Sequence, residues 1–134
     1  MLDLALTLNG NFALAASTDR TVTVYDLRGS YSVLQPTVAS LPHPATPSCL
    51  APVPSVGAAQ QILSGAYDGV VRLWDLRSVK SAITSFQAWD YKKILSLDST
   101  SDGIVCVGGE GGVDIWRIGE ESDRASFVKS STHN

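Results

Sequence analysis

The chain has 134 residues, a net charge of −3, and 44% hydrophobic against 17% charged residues, which is the balance of a chain that buries a core, not of a disordered one. Its ten Lys and Arg are scattered and outnumbered by thirteen Asp and Glu, the wrong sign and distribution for gripping a phosphate backbone, so direct RNA binding is disfavoured. The two cysteines, Cys49 and Cys106, stand in apolar surroundings with no second Cys or His at metal-ligand spacing, so both read as reduced, largely buried thiols and no metal or cofactor is expected.

Taken in chain order, Met1 to Ser17 (MLDLALTLNGNFALAAS) has the apolar look of a secretory leader. Asp3 replaces the basic start of such a leader, however, and Asn9-Gly10-Asn11 interrupts the apolar run. Two strands, at about 2–8 and 11–17 around a tight turn, account for it better. No run approaches the ~18 apolar residues of a membrane span, and no membrane partner is expected. Further strands are predicted at about 21–27, 32–39, 47–53, 60–66, 70–76, 82–88, 93–98, 103–108 and 112–118, eleven in all, with no helical period between them. Prolines confine Pro42 to Ser55 to loops and strand edges. Residues 120–134 are polar and without periodicity, and a mobile tail is expected there.

Three segments superimpose without gaps: Leu14 to Arg28 (LAASTDRTVTVYDLR), Leu63 to Arg77 (LSGAYDGVVRLWDLR) and Val105 to Gly119 (VCVGGEGGVDIWRIG). Tyr25, Trp74 and Trp116 fall in register; six positions earlier stand the acids Asp19, Asp68 and Glu110, and three positions earlier Val22, Val71 and Val113. Each unit is a strand, a short Asp- or Gly-bearing turn and a second, alternating strand, repeated at the spacing of propeller blades.

Tyr25-Asp26, Trp74-Asp75 and the degenerate Trp116-Arg117 resemble the dipeptide that closes the third strand of a WD40 repeat. The resemblance implies an all-β, partial WD40 β-propeller: about three antiparallel four-stranded blades, the last lacking its outer strand, with no helices. The expected blades are residues 1–41, 42–88 and 89–119, followed by the tail. In that family the turn aspartate bonds a histidine of the preceding loop, and a Ser or Thr on the second strand links that histidine to the Trp indole. Carried over residue by residue, the structural network comprises Ser17, Asp19 and Tyr25 in blade one and His43, Asp68 and Trp74 in blade two, where Ala66 stands at the expected hydroxyl position. Blade three offers Glu110 and Trp116, beside Trp89 and Gly108, and is largely without the network.

A narrower resemblance is carried by Ser64 to Ser78 (SGAYDGVVRLWDLRS), Ala88 to Leu95 (AWDYKKIL) and Gly108-Gly109-Glu110-Gly111-Gly112. These are similar to the C-terminal blades of a ribosome-assembly family of WD40 proteins, called YTM-one in fungi and WD-repeat protein twelve in animals. That likeness implies a nuclear and nucleolar scaffold of large (60S) subunit assembly and rRNA processing. In that family the propeller docks on a second propeller protein of the same complex, and reaches the pre-60S particle indirectly.

No catalytic residue is expected. The histidines, His43 and His133, lie in a proline-rich loop and the tail, and the Gly108–Gly112 run lacks the Lys-Ser/Thr and helix of a phosphate loop. Partner contacts are expected from displayed loops: Tyr67, Trp89, Tyr91, Lys92, Lys93, and the exposed Arg20 and Arg72, since Trp, Tyr and Arg anchor interfaces. Rival readings are a WD40 adaptor or substrate receptor of a ubiquitin-ligase or signalling pathway, or RNA binding through the propeller surface. Because propellers usually close rings of four to eight blades, three blades are read as a shortened or proteolytic piece. Its open faces are expected to be covered by self-association or by the missing blades.

Overall fold

The computed structural model describes residues 1–28, 37–53, 61–77, 81–121 and 124–133. Twelve strands follow one another without a helix among the described residues. They form three four-stranded antiparallel sheets, each a simple meander. Sheet one holds β1 (Asp3–Leu6), β2 (Phe12–Ala16), β3 (Thr21–Asp26) and β4 (Thr37–Pro42). Sheet two holds β5 (Pro47–Pro52), β6 (Gln61–Ala66), β7 (Val70–Asp75) and β8 (Thr84–Gln87). Sheet three holds β9 (Ile94–Ser99), β10 (Ile104–Gly109), β11 (Gly112–Glu121) and β12 (Arg124–His133).

Sequence alternation decides how the sheets stack. Along β2, Phe12, Leu14 and Ala16 are buried while the residues between them are half-exposed, so one face of sheet one meets a neighbour. That neighbour is sheet two, which supplies Leu50, Ile62 and Trp74 to a core with Phe12, Leu14, Val22, Val24 and Leu41. The other face of sheet two, with Cys49, Leu63, Val71, Leu73 and Phe86, packs on Ile94, Val105 and Val107 of sheet three. Sheet two is thus covered on both sides, which is why β6 is buried at almost every position where β2 alternates. Each fully buried Leu or Ile of these cores contributes about 1.5–3 kcal/mol.

The inner strands draw the sheets together. Leu50 N–H donates to the Asp3 carboxylate at 2.8 Å, joining β5 to β1. Ser99 Oγ donates to the Pro52 carbonyl at 2.9 Å, and the Ser48 hydroxyl donates to the Ile94 carbonyl, joining β9 to β5. A side chain at Gly65 would place its Cβ 2.6 Å from Ile94 Cγ2 and 2.8 Å from Cys49 Sγ, so a glycine there permits the approach. Pro47 and Pro52 stand at the two ends of β5, an edge strand, where a missing N–H is tolerated.

Three expectations are corrected. Sheet three does have an outer strand: Arg124–His133 pairs along β11, with a bulge between Ile115 and Trp116, where a mobile tail was expected. An edge strand has one row of partners and no second apolar face to fill, so a Ser-, Thr- and Lys-bearing segment serves without hydrophobic alternation. The fourth strand runs Thr37–Pro42, beyond the expected 32–39, whose first residues lie outside those described. Cys49 is buried, and burial pushes its thiol up to about 12, but Cys106 is exposed.

The reason for Cys106 lies in turn length. Three residues, Tyr67 to Gly69, separate β6 from β7, whereas Glu110 and Gly111 alone separate β10 from β11. Ile62 therefore faces Trp74 as Val105, not Ile104, faces Trp116. A one-residue slip moves every side chain of a strand to the other face, so Val105 and Val107 turn inward and Cys106 outward.

Candidate protein-interaction surface

The end of the molecule that carries the hairpin turns is built around a buried relay in sheet two. His43, just after β4, donates from Nδ1 to the Leu41 carbonyl at 3.0 Å. A carbonyl only accepts, so the proton sits on Nδ1, and Nε2 accepts from the Ser64 hydroxyl at 2.8 Å. The Ser64 oxygen in turn accepts the Trp74 indole N–H at 2.9 Å. His43 and Trp74 rings lie 5.2 Å apart, and Ser64 is fully buried. Burial lowers the His43 pKa below its ordinary 6.5, against a smaller upward pull from the bond to Leu41. The linking hydroxyl is thus Ser64 on β6, not a residue at position 66, the turn-side place that Ser17 takes in blade one. Asp68 does not bond His43. Its carboxylate accepts the Val70 N–H at 3.2 Å and the Arg72 guanidinium at 3.1 Å, because Arg72 reaches across the turn while His43 Nδ1 is already bonded to the Leu41 carbonyl.

Sheet one keeps only the turn. Asp19 Oδ1 accepts both the Thr21 N–H at 3.2 Å and its hydroxyl at 2.6 Å; the hydroxyl bond is the main cause of its lowered pKa, with Ser17 adding to it. Tyr25, half-buried on β3, pairs with Ala13 and Thr37. The Asp that follows the aromatic residue has its own task. Asp26 and Asp75 each accept the backbone N–H and the guanidinium of the Arg two residues on, Arg28 and Arg77, at 2.6–3.0 Å. Arg28 thereby holds the Asp26 carboxyl down to about 2. The repeated Tyr/Trp-Asp-Leu-Arg string carries that signal in its second and fourth residues.

Sheet three replaces the relay with packing. By strand pairing, Val107 occupies the place of Ser64, since each lies opposite the residue two before the Trp. Trp89 takes the place of His43: its N–H donates to the carbonyl of Gly69, as the His43 N–H does to that of Arg20. The Trp89 ring lies on the glycine turn, where a Cβ at Gly111 would sit 2.2 Å from it and one at Gly109 3.0 Å. With no hydroxyl at 107, the buried Nε1 atoms of Trp89 and Trp116 both lack a hydrogen-bond partner, and Trp116 instead stacks on Phe86 at 4.0 Å. Asp114 is also buried without a hydrogen bond, 3.8 Å from Lys129 of β12.

Loops and turns along this end are stitched in sequence. Tyr67 N–H donates to Thr46, Ala88 and Trp89 N–H to Gly69, Tyr91 N–H to Asp68 and Glu110 N–H to Lys93, while Glu110 Oε1 accepts the Lys93 N–H at 2.7 Å. The 88–93 loop is therefore clamped between the turns of sheets two and three. From it Tyr91 projects 79% exposed, in a left-handed conformation (φ 53). Lys92 and Lys93 are exposed, and Lys93 Nζ lies 4.6 Å over the half-buried Tyr67 ring. Arg20 is exposed at φ 68. Arg72 is not the exposed group expected, since the pair with Asp68 leaves its side chain 14% accessible. Trp89 is half-buried as a wedge in the loop. Among the described residues no group of three or more His, Cys, Asp or Glu is placed to hold a metal ion.

Comparison with known proteins shows what these features are similar to. Residues 37–75 match the model of the WD domain, G-beta repeat. The chain is 49% identical over 97% of its length to the ribosome biogenesis protein YTM1 of Coprinopsis cinerea, and 52% identical over 90% to that of Laccaria bicolor. It spans 28% and 26% of those relatives. It is also 38% identical, over 57% of its length, to the mitochondrial division protein 1 of Saccharomyces cerevisiae, of which it spans 13%. Residues 37–75 thus carry a WD40 repeat, and the chain resembles, along nearly its whole length, the ribosome biogenesis protein YTM1.

Proposed function

We propose that this chain is a non-catalytic protein-interaction module of large ribosomal subunit assembly, working in the nucleus and nucleolus. In this reading it docks a second propeller protein of the same assembly complex and so serves rRNA processing without itself touching RNA. The observation that carries the reading is about half identity, across nearly the entire chain, with proteins named for ribosome biogenesis. The pinned loops and turns support it physically, because a rigid displayed surface loses little conformational entropy on binding. Two open sheet faces add a second kind of contact, with further blades or with another copy. Affinity capture of the tagged chain from growing cells, followed by mass spectrometry, tests the proposal. Enrichment of large-subunit precursor proteins, including another propeller protein, is expected. Enrichment of an unrelated set, such as ubiquitin-ligase subunits, would instead favour the general WD40-adaptor reading.

A further inference from the structure

Positive charge on this acidic molecule is unevenly committed. Among the described residues Arg28, Arg72, Arg77 and Lys129 are held in ion pairs; Arg117, at the opposite end, forms none, nor do Arg20, Lys92 and Lys93. Those three share the end that carries the hairpin turns, tied to it by the turn-to-loop bonds. Of the carboxylates nearest in the chain, Asp68 is paired with Arg72, while the exposed Asp19 and Glu110 are hydrogen-bonded to Thr21 and to the Lys93 N–H. Only Asp90 is left exposed and unengaged among them.

Shape adds to charge at the 88–93 loop. Its connection is one residue longer than the one before it: four residues lead from Trp89 to Lys93, three from His43 to Thr46, between equivalent backbone bonds. Tyr91 absorbs the extra residue by turning left-handed, a conformation that strains a non-glycine residue. The loop is clamped on both sides, so this conformation persists and holds a phenol ring out into solvent beside two lysines. Lys93 is itself positioned over Tyr67.

We propose that Tyr91, Lys92, Lys93 and Tyr67 form a docking patch for an acidic protein segment that carries an apolar side chain. The carboxylates meet Lys92 and Lys93, and the apolar side chain covers the Tyr91 ring. This rests on the reading of the chain as a protein-interaction module and names the chemistry of what it binds. RNA phosphates share the charge but would draw on a broad basic field, which a molecule of net charge −3 does not offer.

The test is fluorescence anisotropy of the intact chain with three labelled probes: a short Glu/Leu peptide, its Lys/Leu counterpart, and an oligouridylate of equal length. The Glu/Leu peptide is expected to bind best. The K92E/K93E variant should weaken it by about tenfold and Y91A by about fivefold, with R117E, whose charge acts on Asp102 at the opposite end, changing it less than twofold. The native melting curve is checked for each variant. Absent binding of the Glu/Leu peptide, equal losses from R117E and K92E/K93E, or tighter binding of oligouridylate would overturn the patch. Capture of ribosome precursors from cells that K92E/K93E leaves unchanged would refute the patch and spare the module. Peptide binding without such capture would do the reverse.

Discussion

A buried hydrogen-bonded relay runs through the centre of sheet two. The Trp74–Ser64–His43–Leu41 chain has one consistent proton arrangement, and within it Ser64 joins the indole to the imidazole. Ser64→Ala leaves an indole donor and an imidazole acceptor buried and unpaired, so we expect a loss of about 2–4 kcal/mol, read as a lower urea midpoint. The same chain makes stability depend on pH. His43 is held below its ordinary pKa of 6.5 in the fold, so the unfolded chain takes up the proton first on acidification. Stability from this group is complete above about pH 6.5 and is lost as pH falls through the lower, folded pKa. Urea midpoints should drop between about pH 7.5 and 5.5, and His43→Gln, less stable at the upper pH, should lack this part of the drop. In sheet three the missing hydroxyl can be restored. Val107→Thr puts a hydroxyl at the strand position that Ser64 holds in sheet two, in a cluster with two unpartnered indole donors, and should be neutral or stabilising by up to about 1 kcal/mol. The aromatic residue, the turn acid and His43 were legible in the sequence. Ser64 was not, because residue counting along a repeat does not report which side chain lies across a strand pair from which.

At the level of the element, the turns explain more than the strands. Gly69 has φ 80, and a Cβ there would lie 2.0 Å from the Trp89 carbonyl oxygen. Gly69→Ala should therefore cost about 2–4 kcal/mol and loosen the 88–93 loop, seen as faster amide exchange at Ala88, Trp89 and Tyr91. Strand existence was readable from alternation and from the Asp-Gly and Gly-Gly turns. What escaped was the one-residue shorter hairpin of sheet three, which gap-free superposition hides and which turned Cys106 from core to surface. Strand β12 escaped as well: outermost strands are specified by a backbone row and by single side chains such as Lys129 facing Asp114, not by a hydrophobic period.

For the whole molecule the decisive feature is what sheet two has and its neighbours lack. Each of sheets one and three is covered on one face only. On the open side of sheet one Leu4 is 58% and Leu6 53% exposed, with Leu2 and Leu8 beside them; on sheet three Val113 and Cys106 face out, with Leu95 at the bulge. The first of these faces corresponds to the side of sheet two that receives sheet one, and the second to the side of sheet two that receives sheet three. Each is thus shaped for a sheet of the other kind, from further blades or from a second copy, and apolar faces of this sort mark association surfaces. That the chain works through surfaces it offers to other proteins is most directly tested by native mass spectrometry of the purified chain at micromolar concentration. We expect species at twice the chain mass of 14.2 kDa or more, lost when Leu4 and Leu6 are both changed to Lys. A single 14.2 kDa species across that concentration range would contradict it, and would mean that three sheets are stable with both outer faces bare.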